Sequence, residues 1–173
     1  MAKTPLISEL EFLQVTQNQR DFRNKLTKLG LAAAEADIKQ NAHYVGLRWL
    51  KLATMHLREA KRSLKSKSRR TTYSRAYYAS YNASKAVRYI ASGSVSLKAD
   101  DHQKASELPG DFPDPVPWGL KITKLYEQRL RADYDNWAGR SLFTMKAADC
   151  VKDASAFLRI CKKYLKDKHA LSS

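Results

Sequence analysis

Apolar residues along this chain recur at intervals of three and four rather than two, and that spacing predicts helices. Over residues 44–66, Leu47, Leu50, Thr54, Leu57, Ala60 and Leu64 form an inward stripe, while Arg48, Lys51, Arg58, Arg62 and Lys65 face elsewhere. A second helix is expected over 73–92. There Ala76, Ala79 or Ser80, Ala83, Val87 and Ile90 make a stripe of small residues that lets a neighbouring helix approach closely, and Gly93 should stop it. Residues 116–136 begin as an amphipathic helix with Trp118, Ile122 and Leu125 on one face. The last helix is expected from about 141 to 167, on a heptad-like seam of Ala147, Val151, Ala154, Leu158, Cys161 and Leu165.

The remaining segments are less regular. Residues 1–40 hold two short amphipathic pieces, one with Leu6, Leu10 and Leu13 on a face, the other with Phe22, Leu26 and Leu29 and ended by Gly30. LAAAEADIKQ follows, rich in helix formers but poor in apolar bulk. This region could brace the domain or serve as a partner-binding arm. In the connector 94–117, Pro109, Gly110, Pro113, Pro115 and Pro117 argue against regular structure, and Gly139 makes a later break. The pattern predicts one all-α domain, an antiparallel bundle of four or five helices over 41–168, with an N-terminal helical extension over 1–40 and a tail at 169–173.

Composition supports this and narrows the function. A chain of 173 residues can bury one core, and 6 Gly and 5 Pro suit a helical fold. No run approaches the ~18–20 apolar residues of a membrane span. The first residues reach acids before a signal-peptide core could form, so the expected address is cytoplasmic. Cys150 and Cys161 lie eleven residues apart on one helix, too far for a disulfide at about 1.5 Å per residue, and are expected to be buried thiols. His43, His56, His102 and His169 show no ligand spacing, so neither a metal nor a cofactor is expected. There is no Gly-rich phosphate loop and no GxSxG elbow.

Charge is the strongest bulk signal. The net charge is +15, and residues 41–98 carry thirteen Lys or Arg against a single acid, Glu59. That asymmetry points to a polyanion partner, RNA or a nucleotide, although a basic surface that only aids solubility is the plainer alternative. The turn KSKSRRTT at 65–72 is either a solvated loop or a phosphate-binding corner built by Arg69 and Arg70. On the next helix, five tyrosines interleave with Arg75, Lys85 and Arg88, a composition suited to base stacking and phosphate contact. Tyr77 and Tyr81 are expected in the core, where such rings usually sit. Tyr78, in phase with Arg75, Asn82, Lys85 and Tyr89, is the surface candidate.

One local inconsistency stands out. The apolar phase of Trp118, Ile122 and Leu125 continues to Arg129, where a core helix would carry Leu or Val. A buried arginine is costly unless paired, and Asp133 lies one turn on, with Tyr134 beside it. A cation, a carboxylate and a phenol thus converge on one helix end.

Three stretches in this order carry a family resemblance. SRAYYASYNASKA at 74–86 supplies Arg75, Tyr77, Tyr78 and Ala79. DHQK at 101–104 supplies His102 and Lys104. The third contributes Arg129, Ala132, Asp133 and Tyr134. The chain resembles the HEPN superfamily over roughly 41–168, leaving the first forty residues outside it. The resemblance implies a small helical, RNA- or nucleotide-associated domain of prokaryotic toxin–antitoxin or defence systems, acting as a homodimer. In catalytic members an arginine followed within a few positions by histidine cleaves RNA without metal. Here Tyr134, Asp135 and Asn136 stand where that histidine is expected.

Three interpretations of the Arg129 region therefore stay open. Arg129, Asp133 and Tyr134 can be a structural knot against the 74–86 helix. They can be a departed RNA-cleaving site to which the loop brings His102. Or Tyr134 can be the target of a partner nucleotidyltransferase, as in a related branch of the superfamily. The expected nucleic-acid contacts are Arg69, Arg70, Arg75, Tyr78, Lys85, Arg88 and Lys104. The competing expectation is a non-catalytic subunit or adaptor docking a partner protein, such as a defence-complex component, or a nucleic-acid complex.

Overall fold

The computed structural model describes residues 8–137 and 139–171. Among them the chain forms α1 (Glu9–Thr16), α2 (Gln19–Lys28), α3 (Ala32–Lys65), α4 (Arg69–Val87), α5 (Pro115–Tyr134) and α6 (Ala147–His169). A π-helical turn, Arg88–Ser92, extends α4, and short 3₁₀ turns occupy Ala99–Ser106 and Arg140–Leu142. The all-α expectation holds.

Local chemistry explains most boundaries. Ser8 and Glu11 cap α1 reciprocally, the Ser8 backbone N–H donating to the Glu11 carboxylate at 2.8 Å and the Glu11 N–H to Ser8 Oγ at 3.2 Å. Gly30 ends α2 at φ +73°. The helix expected from residue 44 begins twelve positions earlier, at Ala32. LAAAEADIKQ has high propensity and nothing after it breaks the helix, so the two stretches fuse. At its other end, Ser68 N–H reaches Ser63 O at 2.8 Å and Lys67 N–H reaches Leu64 O at 3.1 Å. This pair of bonds is the Schellman closure, and it puts Lys67 in the left-handed position, φ +60°, that glycine usually fills.

The α3–α4 hairpin is antiparallel: His56 meets Tyr78 and, further out, Trp49 meets Tyr89. α5 returns along α4, with Arg129 at Tyr78 and Asp133 at Ser74. α6 reverses again, Trp118 packing on Phe157 and Lys121 pairing with Asp153. The bundle thus runs up-down-up-down, and the N-termini of α4 and α6 share one end. α4 is central, packed against α3, α5 and α6. Its Ala76, Ala79, Ala83 and Ala86 are fully buried, which is why small residues are needed there. The expected seam on α6 is also largely inward, with Val151, Ala154, Leu158, Cys161 and Leu165 buried.

The first two helices dock on the far end of this hairpin. Thr16 Oγ1 lies 2.8 Å from Tyr89 OH, Gln19 Nε2 donates to Tyr89 O at 2.6 Å, and Arg20 Nη2 donates to Ala91 O at 2.7 Å. A Cβ at Gly93 would lie 2.7 Å from Arg20 Cβ, so that close approach needs glycine as well as its φ of +76°. The expected stripes here are only partly right. Phe12, Leu13 and Thr16 face in while Leu10 and Leu29 are exposed, and Leu6 lies outside the described residues.

Other boundaries differ too: α4 starts at Arg69 rather than 73, so the second half of the expected 65–72 turn is helical. Pro115 and Pro117 lie in the first turn of α5 rather than in loop, because a missing N–H costs nothing there. α6 starts at Ala147, not 141, because the preceding 3₁₀ turn and bends are held by α4 and α5. Tyr73 OH donates to Met145 O at 2.7 Å, and Gln128 exchanges bonds with Thr144, Nε2 to Oγ1 at 2.8 Å and N–H to Oε1 at 3.1 Å. No helix among the described residues is long and apolar enough to cross a membrane.

Candidate functional site

Arg129 is 7 % exposed, near the C-terminal end of α5. Its Nη2 donates to Tyr78 OH at 2.7 Å and to Tyr134 OH at 2.9 Å. The guanidinium carbon also lies 5.3 Å from the Tyr78 ring centre and 4.8 Å from that of Tyr134, a cation between two π faces. Nε sits 2.8 Å from Asp133 Oδ2, a charge contact that does not align with the N–H direction and so is not a hydrogen bond. Asp133 is steadied by Ser74, whose Oγ donates to it at 3.3 Å. Burial works against the arginine's charge, but Tyr78, Tyr134 and Asp133 outweigh it and hold its pKa above the ordinary value. The site is therefore a permanent cation whose outer wall, Tyr134, is 68 % exposed.

His102 comes from the connector, on the Ala99–Ser106 turn. Its Nδ1 lies 2.9 Å from the hydroxyl of Tyr77, and its ring stacks on Tyr81 at 4.3 Å and meets Tyr78 edge-on at 6.1 Å. Arg129 and His102 thus border the same Tyr77–Tyr78 pair. Burial lowers the His102 pKa from 6.5, and the charge of Arg129 lowers it further. The imidazole is neutral near pH 7 as a result. Tyr77 is wholly buried, and burial pushes its phenol upward, so it stays protonated. If Tyr77 donates, His102 Nε2 carries the ring proton; if Nδ1–H donates, Nε2 is a base.

The other expected contacts separate. Arg88 lies in the core at 5 % exposure, gripping buried Asp101 with both arms, Nη1–Oδ1 at 2.8 Å and Nη2–Oδ2 at 3.2 Å. It is not on a phosphate-facing surface. Lys85 leans over the Trp49 ring at 4.8 Å, with Nζ 3.9 Å from Asp101. The Tyr78 phase expected at the surface is covered at that end: Asn82 and Tyr89 are buried. Arg75 Nη1 contacts His56 Nδ1 at 3.3 Å, and Lys104 pairs with Asp100 at 3.1 Å. Arg70 donates to the end of α5, at Ala132 O (2.9 Å) and Asp135 O (2.8 Å). Arg69 is exposed beside it.

Asp101 is the residue that sequence reasoning missed. It accepts from Tyr81 OH at 2.7 Å and from Ser96 N–H at 3.3 Å besides Arg88. Burial alone would raise its pKa, but Arg88, Tyr81 and Lys85 together hold it below the ordinary value. A weak signal existed: DHQK supplies a carboxylate beside the histidine, but Arg88 lies outside the small-residue stripe, so spacing did not mark it as buried and in need of one. The corner expected at Arg69 and Arg70 opens into a cleft of about 910 Å³ at the end of the bundle, and Lys67, Lys146, Tyr73 and Phe143, which complete it, were missed.

Among the described residues no group of three or more His, Cys, Asp or Glu converges as a metal site would. Cys150 and Cys161 are free and buried, and burial pushes the Cys150 thiol up to about 12. No curated protein and no solved structure matches the chain. The family model of the HEPN domain matches residues 47–164, from within α3 to within α6, and so includes the Tyr77–Tyr78 pair, His102, Arg129 and Tyr134. The chain therefore belongs to the HEPN domain family.

Proposed function

We propose that this chain binds RNA or a nucleotide as part of a prokaryotic defence or toxin–antitoxin system, in the cytoplasm and as a homodimer. The observation that carries the binding is Arg129, kept charged and presented at the rim between Tyr78 and exposed Tyr134. A guanidinium between phenols suits a phosphate beside a base, because the cation meets the anion while the rings accept the stacked base. The excess of cations over 41–98 supports the same partner, though Lys85 and Arg88 contribute from the interior. The system and the dimer rest on the family.

The test is a gel-shift of labelled total and transfer RNA with the purified chain across a salt series. RNA held through several phosphates should be released steeply as salt rises. Failure to shift at low salt would leave an adaptor that docks an acidic protein.

A second reading, metal-independent cleavage, has its own observation: neutral His102 shares the Tyr77–Tyr78 pair with Arg129, although no histidine follows Arg129 along the helix. In that reading His102 Nε2 takes the 2′-hydroxyl proton as the 2′-oxygen attacks phosphorus, and the bond to the 5′-oxygen breaks to leave a 2′,3′-cyclic phosphate. The 5′-oxygen takes a proton back from the imidazolium or from water, and Arg129 offsets the charge developing on the phosphoryl oxygens. Incubation in EDTA beside His102→Ala and Tyr134→Phe decides it. Cleavage lost in either variant places the chemistry, whereas RNA that shifts but stays intact leaves a binding module.

A further inference from the structure

The antiparallel order of the bundle brings the start of α4, the start of α6 and the α3–α4 turn to one end, and the cleft of about 910 Å³ lies between them. Lys67, Arg69, Arg70 and Lys146 line it, and no Asp or Glu does. Arg70 is engaged with the end of α5. Lys67, Arg69 and Lys146 make no ion pair with a carboxylate among the described residues. A concave surface of that size with one sign of charge concentrates an anion. Lys67 is held there at φ +60°, where its backbone would be easier with glycine. The helix ends add to the cations: neither α4 nor α6 receives a side-chain cap, and the first residues of both, Arg69 and Ala147, line the cleft, so the positive ends of two helix dipoles meet there. The floor is aromatic. Phe143 lies flat on Tyr73, centroids 4.5 Å apart and planes 3° from parallel, and Tyr73 is anchored through its hydroxyl to Met145 O.

We infer that this cleft binds the phosphate of a nucleotide, free or at the end of an RNA strand, with Phe143 as the wall for its base. Lys67, Arg69 and Lys146 hold the phosphate oxygens. This rests on the nucleic-acid reading above and extends it, because Arg70, Ser74 and Tyr78 follow one another a turn apart on α4. A strand end seated in the cleft lies about 12 Å along that helix from the ring that carries Arg129.

The test uses the full chain and one short RNA in three forms: without a terminal phosphate, with a 5′-phosphate, and with a 3′-phosphate. AMP is titrated separately and as a competitor. A phosphorylated form or AMP should bind about tenfold or more tightly than the unphosphorylated strand, the size of one or two charge-assisted bonds. Lys146→Ala and Lys67→Gly should erase that preference. Lys67→Gly keeps the test independent of folding, because it should melt no lower than the parent. AMP that displaces the phosphorylated strand identifies a shared site; AMP that binds where no RNA does makes the cleft a nucleotide site and removes the RNA reading. If all three strands bind equally and AMP does not bind, or if the variants keep the preference, the cleft inference falls while RNA binding stands. If nothing binds, both fall.

Discussion

Two arginines of this bundle are built from nearly the same parts and end in different states. Arg88 and Arg129 are 5 % and 7 % exposed, each meets an aspartate, and each has tyrosines close by. Arg88 uses both arms on Asp101, and the carboxylate is completed by Tyr81 and the Ser96 N–H. Arg129 shares one nitrogen between two phenols, meets Asp133 off-axis, and has an exposed ring as its outer wall. The first geometry is saturated and joins the connector to α4. The second leaves an incompletely matched cation just behind an exposed ring, Tyr134, where a ligand can reach it. Identity and burial of a residue therefore do not separate a lock from a site; the completeness of its partners does.

The comparison can be broken most directly through its carboxylates. Asp101→Ala strands a buried guanidinium and should cost about 3–5 kcal/mol in urea unfolding. Asp133→Ala should cost about 1 kcal/mol or less, since Asp133 Oδ2 is only an off-axis partner near solvent. Equal losses would mean that the two pairs are both structural.

Acid sharpens it next. His43, His56, His102 and His169 all have pKa values lowered from 6.5, burial being the first cause in each. The folded state then holds fewer protons than the unfolded one, so this stability is intact above the unfolded value and is lost as pH falls through about 6.5 toward the folded values. Asp101 is lowered from 3.8, so its contribution persists through that range and is lost only at still lower pH. Tm followed by circular dichroism should show two steps, and His102→Ala should shrink only the upper one. A single loss below about pH 4 would remove the histidine contribution.

The smallest expected effect is Tyr134→Phe. The ring is largely in solvent and the hydroxyl makes one bond, so stability should change by about 0.5 kcal/mol or less. A much larger loss in thermal unfolding would mean that Tyr134 closes Arg129 as Asp101 closes Arg88, leaving a knot in place of a site.

Much of this was legible along the chain. The 3.6-residue phase marked α3 to α6, the small-residue stripe marked α4 as a helix that a neighbour approaches closely, and Gly30 and Gly93 marked two ends. The break in the apolar phase at Arg129 located a charged cluster, because Asp133 and Tyr134 are its helical neighbours and spacing alone brings them near. The Lys85–Arg88 side of α4 was not legible. Its period names the residues that share a face, but α1, α2 and the Asp101 turn cover that face from distant segments.

What the sequence by itself determined was local: helix positions, caps, the family motifs and the cation excess, all set by neighbours within a turn or two. What only the tertiary structure decided was company. Asp101 reaches Arg88 across thirteen residues, His102 reaches Tyr77 across twenty-five, and Lys67 and Lys146 meet at one cleft from opposite halves of the chain. Contacts of that kind depend on how helices are ordered and which ends coincide, and no periodicity within one helix encodes them.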